Sequence, residues 1–133
     1  MAKQIDKGIE LLAEDQGVGI EAKTGHLVTY NARFFLRKGD EVTTDNLSIA
    51  SYRSNLKIRI VDGIELIDHS ITLGRRQPIA GIEKSLYGMR PGGYREVLVS
   101  SHLAYGAKGV KNRIPPNAML RIKLWVQNVQ PAT

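Results

Sequence analysis

The chain has 133 residues, of which 42% are hydrophobic and 24% are charged, and its formal net charge is +6. This length and composition favour a single domain over residues 1–133 and exclude a disordered chain. The absence of cysteine excludes disulfides, thiolate metal sites and cysteine nucleophiles. No apolar run approaches the roughly 18 residues of a membrane helix, and the charges at Lys3, Asp6, Lys7 and Glu10 are incompatible with the apolar region of a signal peptide. We therefore expect a soluble, cytoplasmic protein without membrane contact.

Glycine and proline divide the chain into short runs in which apolar and polar residues alternate, a pattern typical of β-strands. The segment Thr43–Asn55 is mostly polar and interrupts this pattern, so we expect an enlarged flap or loop at about 43–60. Asp62-Gly63 predicts a tight turn between two strands. The predicted strands are, in chain order, Gly8–Glu14, His26–Arg37, Leu56–Val61, Ile64–Leu73, Tyr94–Ser100 and Leu120–Gln127.

One short helix is predicted between the fourth and fifth of these strands. Pro78 suits the first position of a helix, and Ile79, Ile82 and Leu86 follow it at helical spacing. Gly88 can end the helix in a left-handed conformation. The sequence therefore predicts an α+β fold, in which a curved antiparallel sheet of five to six strands wraps over one short helix.

The common catalytic and metal-binding motifs are missing from the sequence. The three histidines, His26, His69 and His102, are far apart and none has a partner at i+4, so no metal site is expected. Gly106 and Gly109 lack the Lys-Ser/Thr pair of a phosphate-binding loop, and no Gly-x-Ser-x-Gly motif indicates a hydrolase. No cofactor is therefore expected.

The excess of 19 basic over 13 acidic residues is compatible with an acidic partner. The basic residues are scattered, however, and Phe34, beside Arg33, fits the buried face of a strand better than an exposed stacking platform. Nucleic acid is therefore not an expected partner, and docking on nucleic acid is the third and weakest functional interpretation.

The region from Gly81 to Val129 contains an ordered series of short motifs. They are Gly81 with Glu83, Gly88-Met89, Gly93 with Arg95, Ala104-Tyr105-Gly106, and Ile114-Pro115-Pro116-Asn117-Ala118 followed by Leu120. In this order and spacing they resemble the C-terminal half of the FKBP-type peptidyl-prolyl isomerases, the macrolide-binding immunophilins. Weaker similarities upstream extend the resemblance to about Gly8, with a gap in the middle of the chain. The resemblance implies an FKBP-like fold.

The resemblance also implies a set of site residues. Tyr30 matches a tyrosine of the family's pocket wall, the backbone N–H of Ile79 matches a donor to a substrate carbonyl, and the Tyr105 hydroxyl matches a donor to a ligand carbonyl. The expected substrate contacts are Pro78, Ile82 in place of a tryptophan, and Val42, His69 and Ile122 in place of phenylalanines. The family's aspartate aligns with Thr43, and the alternatives for its place are Asp40, Asp45 and Asp68.

This pocket is apolar but has lost most of its aromatic rings, which implies weaker isomerisation and weaker macrolide binding than is typical of the family. The implied function is cis-trans isomerisation of X–Pro bonds in peptides or proteins, by a monomer. The alternative is the same fold acting as a non-catalytic peptide- or protein-binding module. Lys108, Lys111 and Arg113 lie in a loop that overhangs the family's pocket, and they either favour peptides with acidic flanks or are simply solvated.

Overall fold

The computed structural model describes residues 3–42, 58–61, 63–75 and 80–131, which contain nine strands, one α-helix and one 3₁₀ helix. The strands are β1 (Lys3–Asp6), β2 (Ile9–Asp15), β3 (Leu27–Leu36), β4 (Glu41–Val42), β5 (Ile58–Val61), β6 (Ile64–Ile67), β7 (His69–Thr72), β8 (Tyr94–Val99) and β9 (Leu120–Gln130). The α-helix, α1, spans Ala80–Leu86, and the 3₁₀ helix spans Ser101–Leu103. Within these ranges, no helix combines the length and the apolar character needed to cross a membrane.

Seven of the described strands form one sheet in the order β1-β2-β8-β9-β3-β4, with β7 also paired to β3. All of these pairings are antiparallel, and β7 and β4 pair with successive halves of β3. The two other strands, β5 and β6, form a separate hairpin. The predicted α+β fold is confirmed, although five to six strands is too low a count even for the described residues. Residues 43–57 of the flap predicted at about 43–60 lie outside the described ranges. Residues 58–60 belong to β5.

The alternation that predicted β9 places its apolar side in the core. Every second residue from Leu120 to Val126 is buried, whereas the residues between them are half-buried. Phe34 of β3 is 6% exposed and lies in the same core, as predicted. Its neighbour Phe35 is on the opposite side of the sheet, where its ring lies beneath three cationic side chains at 5.2–5.3 Å from the ring centroid.

The predicted strands differ from the observed ones at three places. The short strands β1 and β4 were not predicted, because a strand of four or two residues is too short to show an alternating pattern. The predicted strand Ile64–Leu73 is two strands that separate at Asp68. There the side-chain amide of the fully buried Asn31 donates to the Ile67 carbonyl oxygen at 3.0 Å and to Asp68 Oδ1 at 2.7 Å. These bonds hold the point at which the chain leaves the hairpin and joins the main sheet.

Helix α1 packs on the apolar side of the sheet, with Ile82 and Leu86 in the hydrophobic core. Gly81 allows this close approach, because a Cβ atom at this position would lie 2.5 Å from Val99 Cγ1. Gly88 follows the helix with φ at +85°, so it adopts the predicted left-handed conformation. The predicted start of the helix at Pro78 lies outside the described residues.

Two charged side chains fix the ends of α1. Arg95 donates from one guanidinium nitrogen to the carbonyl oxygens of Ser85, at 2.9 Å, and of Tyr87, at 2.6 Å. At the other end, the Glu83 carboxylate accepts a hydrogen bond from the backbone N–H of Gly74 at 2.9 Å. Both side chains belong to motifs that carried the family resemblance, and both position the helix that carries Ile82.

Candidate active site

Four of the predicted site residues lie in one continuous hydrophobic core. Tyr30, Val42, Ile82 and Ile122 come from β3, β4, α1 and β9, respectively. Their exposed fractions are 7%, 5%, 6% and 0%. Ile122 is paired on both sides, by β3 and β8, and contributes no surface. It therefore lies wholly inside the core, to which β3, β4, α1 and β9 each contribute one of these four residues.

Tyr30 lies in the first half of β3, which pairs with β7 on one side and β9 on the other. Its register partners are Val126 of β9 and His69 of β7, and the pairing with β9 is irregular between Thr29 and Tyr30. The rings of Tyr30 and His69 are tilted against each other, with their centroids 5.6 Å apart. Burial raises the pKa of the Tyr30 phenol well above its usual range, and the nearby Tyr105 raises it further. The phenol of Tyr30 is therefore a neutral hydroxyl at physiological pH.

Tyr105 lies in the turns that follow the 3₁₀ helix, and its ring packs against the same core. Partial burial raises the pKa of its phenol, so this hydroxyl is also neutral at physiological pH. Tyr30 belongs to that core and Tyr105 packs against it, although the two residues are 75 positions apart in the chain.

The hydroxyl groups of these two tyrosines make no hydrogen bond within the described residues. Two other tyrosines behave differently, because the Tyr87 hydroxyl bonds with Thr24 Oγ1 at 3.0 Å and the Tyr94 hydroxyl donates to Glu96 at 3.1 Å. Neither hydroxyl oxygen is among the buried side-chain atoms of the described residues that lack a partner, so both are accessible to solvent. Tyr30 and Tyr105 therefore present hydroxyls that a ligand carbonyl can engage.

His69 lies beside the site, at the start of β7, and is half-buried. Burial lowers the pKa of its imidazole, and the Asp68 carboxylate opposes this effect only in part. The ring is therefore neutral at physiological pH and offers an aromatic face to Tyr30. Asp68 is held by Asn31 at 2.7 Å, a contact that the sequence did not suggest. The sequence gives no signal for it, because Asn31 falls between Thr29 and Arg33 on the polar side of the predicted strand.

Of the positions considered for the family's aspartate, two are described. Asp68 is adjacent to His69, whereas Asp40 lies in an exposed turn, where it pairs with Lys38 at 3.2 Å. Thr43 and Asp45 lie outside the described residues, as do the predicted site residues Pro78 and Ile79. Of the two described candidates, Asp68 is adjacent in the chain to His69, whose ring lies against that of Tyr30.

The arrangement favours a particular kind of chemistry. Within the described part of the chain, no three His, Asp or Glu side chains come together as metal ligands. What the site offers is a group of largely buried apolar side chains beside two neutral hydroxyl donors and the aromatic imidazole of His69. Groups of these kinds can contact an apolar ring and orient a carbonyl group without transferring a proton.

Comparison with known proteins places the chain in one family. A family model described as FKBP-type peptidyl-prolyl cis-trans isomerase matches residues 19–126. The chain belongs to this family. Among FKBP-type relatives, the bovine peptidyl-prolyl cis-trans isomerase FKBP11 is 43% identical over 46% of this chain and 33% of its own length. An FK506-binding protein of Neisseria meningitidis is 43% identical over 38% of this chain and 47% of its own. The aligned part thus spans about a third to a half of these relatives.

Solved FKBP structures share the architecture. The N-terminal domain of FKBP42 from Arabidopsis thaliana superposes with a TM-score of 0.73 at 17% identity, covering 98% of this chain and 92% of that domain. FkpA from Escherichia coli superposes with a TM-score of 0.69 at 24% identity, covering 99% of this chain and 53% of FkpA. At these identities the likeness concerns the fold alone, and it agrees with the antiparallel sheet and single short helix of the described residues.

Proposed function

We propose that this FKBP-type protein catalyses cis-trans isomerisation of X–Pro bonds in peptides or proteins. The observation that supports it most directly is the pair of neutral hydroxyls, on Tyr30 and Tyr105, that lack partners among the described residues and adjoin a core of Val42 and Ile82. Membership of a family of prolyl isomerases agrees with this arrangement.

The physical requirement of the reaction matches such a surface. Rotation about an X–Pro bond has an uncatalysed barrier of about 18–20 kcal/mol, because amide resonance is lost at the twisted geometry. The planar amide is more polar than the twisted one, since resonance places negative charge on oxygen and positive charge on nitrogen. An apolar surface therefore favours the twisted state relative to the planar one. A hydroxyl that donates to a substrate carbonyl holds the peptide in the conformation that twists.

Each residue has a defined role in this proposal. The Tyr105 hydroxyl donates to a substrate carbonyl, and Tyr30 and Ile82 form the wall and floor against which the prolyl ring packs. The family resemblance adds the backbone N–H of Ile79, which lies outside the described residues, as the expected second donor. Because Ile82 and Val42 provide no aromatic ring, we also propose that turnover is slower and less sensitive to substrate shape than in relatives with an aromatic pocket.

The test is a protease-free measurement of X–Pro isomerisation by NMR exchange. We expect the protein to relax a prolyl peptide faster than the uncatalysed tens to hundreds of seconds. Tyr105→Phe should lower kcat/KM by about three- to tenfold, since a net hydrogen bond contributes about 0.5–1.5 kcal/mol and 1.4 kcal/mol is tenfold. Its unfolding free energy should change by less than about 0.5 kcal/mol, because the hydroxyl has no partner to lose.

Tyr87→Phe is the matched control, because it removes a hydroxyl that bonds to Thr24 instead of facing the site. This variant should lose about 1 kcal/mol of unfolding free energy and keep its kcat/KM. A wild-type rate equal to the uncatalysed rate for every prolyl peptide tested would overturn the proposal and leave a non-catalytic binding module. Equal kinetic losses in Tyr105→Phe and Tyr87→Phe would remove Tyr105 from the mechanism.

A further inference from the structure

The segment that carries Tyr105 also carries a concentration of positive charge. Lys108, Lys111 and Arg113 follow Tyr105 within eight positions, and residues 101–119 contain no aspartate or glutamate. All three basic residues are exposed. The segment therefore adds three positive charges directly after a site residue and no negative charge to compensate for them.

The backbone of this segment is held in a defined shape. The N–H of Gly106 donates to the Ser101 carbonyl oxygen at 2.8 Å, and the N–H of Gly109 donates to the Tyr105 carbonyl oxygen at 3.1 Å. Val110 and Ile114 then pair with each other through two backbone hydrogen bonds, at 2.8 and 2.9 Å. The positions of the three cations are therefore fixed relative to Tyr105 at the level of the backbone.

The side chains of the segment divide into two faces. Ile114 is 3% exposed and belongs to the hydrophobic core, and Tyr105 and Val110 pack against that core. The three cations occupy the intervening positions and face solvent. The same turn thus places apolar groups towards the site and positive charge at its outer margin.

These charges are not neutralised by the described part of the protein. Arg33, Arg95 and Arg121 each form an ion pair with a glutamate, at 2.7–3.3 Å. None of the ion pairs among the described residues includes Lys108, Lys111 or Arg113. A peptide bound beside Tyr105 therefore approaches a segment whose positive charge is uncompensated, and at physiological ionic strength such charges act over about 8 Å.

We propose that Lys108, Lys111 and Arg113 select prolyl substrates that carry aspartate or glutamate near the proline. This inference rests on the proposed isomerase function and specifies its substrate class. The cations act on binding and encounter, not on the rotation itself, so they raise kcat/KM through a lower KM. Each exposed pair contributes little alone, but three charges of one sign around a single peptide act together.

The experiment compares three peptides that share the core Ala-Leu-Pro-Phe and differ only in glutamate, glutamine or lysine flanks. We expect wild-type kcat/KM for the acidic peptide to exceed that for the neutral one by about fivefold at low salt. Lys108→Gln/Lys111→Gln/Arg113→Gln should abolish this preference and leave the rate with the neutral peptide unchanged. Raising the salt concentration to about 0.5 M NaCl should have the same effect on the wild type.

The matched control is Lys3→Gln/Lys7→Gln/Lys23→Gln, which removes the same net charge from exposed positions outside this segment. Its preference for the acidic peptide should equal that of the wild type. Equal wild-type rates with all three peptides would overturn the selection while leaving the isomerase function intact. Retained preference in the loop variant, or equal loss in the control variant, would also overturn it. No acceleration with any peptide would instead overturn the isomerase function on which it rests.

Discussion

Replacing Arg95 tests whether the position of α1 depends on one side chain. The Arg95 guanidinium donates to the Ser85 and Tyr87 carbonyl oxygens at 2.9 and 2.6 Å, and its Nε pairs with Glu14 at 2.7 Å. Hydrogen bonds to a charged group contribute about 1.5–3 kcal/mol each. The Arg95 side chain is only 12% exposed, so water replaces these bonds poorly. After subtraction of the cost of burying the charge, we expect Arg95→Met to lose about 2–4 kcal/mol of unfolding free energy.

The assay is urea denaturation, in which this loss lowers the midpoint by about 1–2 M at an ordinary slope. Glu14→Gln is the control, because it removes only the partly exposed ion pair and should cost about 1 kcal/mol or less. Arg95→Met should also lower kcat/KM under conditions in which it is folded, since the last turn of the helix that carries Ile82 is no longer held. Equal losses of stability in the two variants would refute the reasoning, because the bonds to Ser85 and Tyr87 would then contribute nothing.

Three other substitutions test the helix packing and the polar groups beside the site. Gly81→Ala places a Cβ 2.5 Å from Val99 Cγ1, so we expect it to lower the free energy of unfolding by about 1–3 kcal/mol. An unchanged midpoint in urea denaturation would contradict the close packing. The pKa of His69 is lower in the folded protein than in the unfolded chain. As the pH falls below about 6.5, His69 therefore takes up a proton more readily in the unfolded chain, and the free energy of unfolding decreases. His69→Phe should flatten this dependence between about pH 5 and 7, and an unaltered slope would exclude His69 as its source. Asn31→Ala leaves the Gln127 amide unpaired and should cost about 2–3 kcal/mol by the same assay; a loss below about 0.5 kcal/mol would show that this network does not stabilise the fold.

The long strands and the helix were predictable because burial imposes a period on their sequences. β3 and β9 are paired on both sides, so their inward positions must be apolar along most of their length. The same reasoning fails for the division between β6 and β7. That division depends on Asn31, whose hydrogen bonds to Ile67 and Asp68 join residues 36 and 37 positions apart. A single buried amide leaves no periodic signal.

The candidate site was predictable only through a resemblance, because no physical rule on the sequence singles out Tyr30 or Tyr105. Periodicity places Tyr30 on a buried face and nothing more. The pairing of Tyr30 with His69 follows from strand register, and Tyr105 packs against the same core from the turns after the 3₁₀ helix. The roles of Arg95 and Glu83 were likewise invisible, since their partners are backbone groups that any sequence supplies.

The residues that carried the family resemblance are of two kinds: some hold the fold together, and others are candidates for binding a substrate. Gly81, Glu83 and Arg95 hold α1 against the sheet through close packing and hydrogen bonds, so they report on the fold whether or not the protein is an enzyme. Tyr30 and Tyr105 are different, because phenylalanine would fill the same space and their solvent-accessible hydroxyls bond to no described residue. The described part of the fold therefore does not depend on these two hydroxyls for its stability. In our proposal they bind a substrate carbonyl group, so replacing them tests the function separately from the architecture.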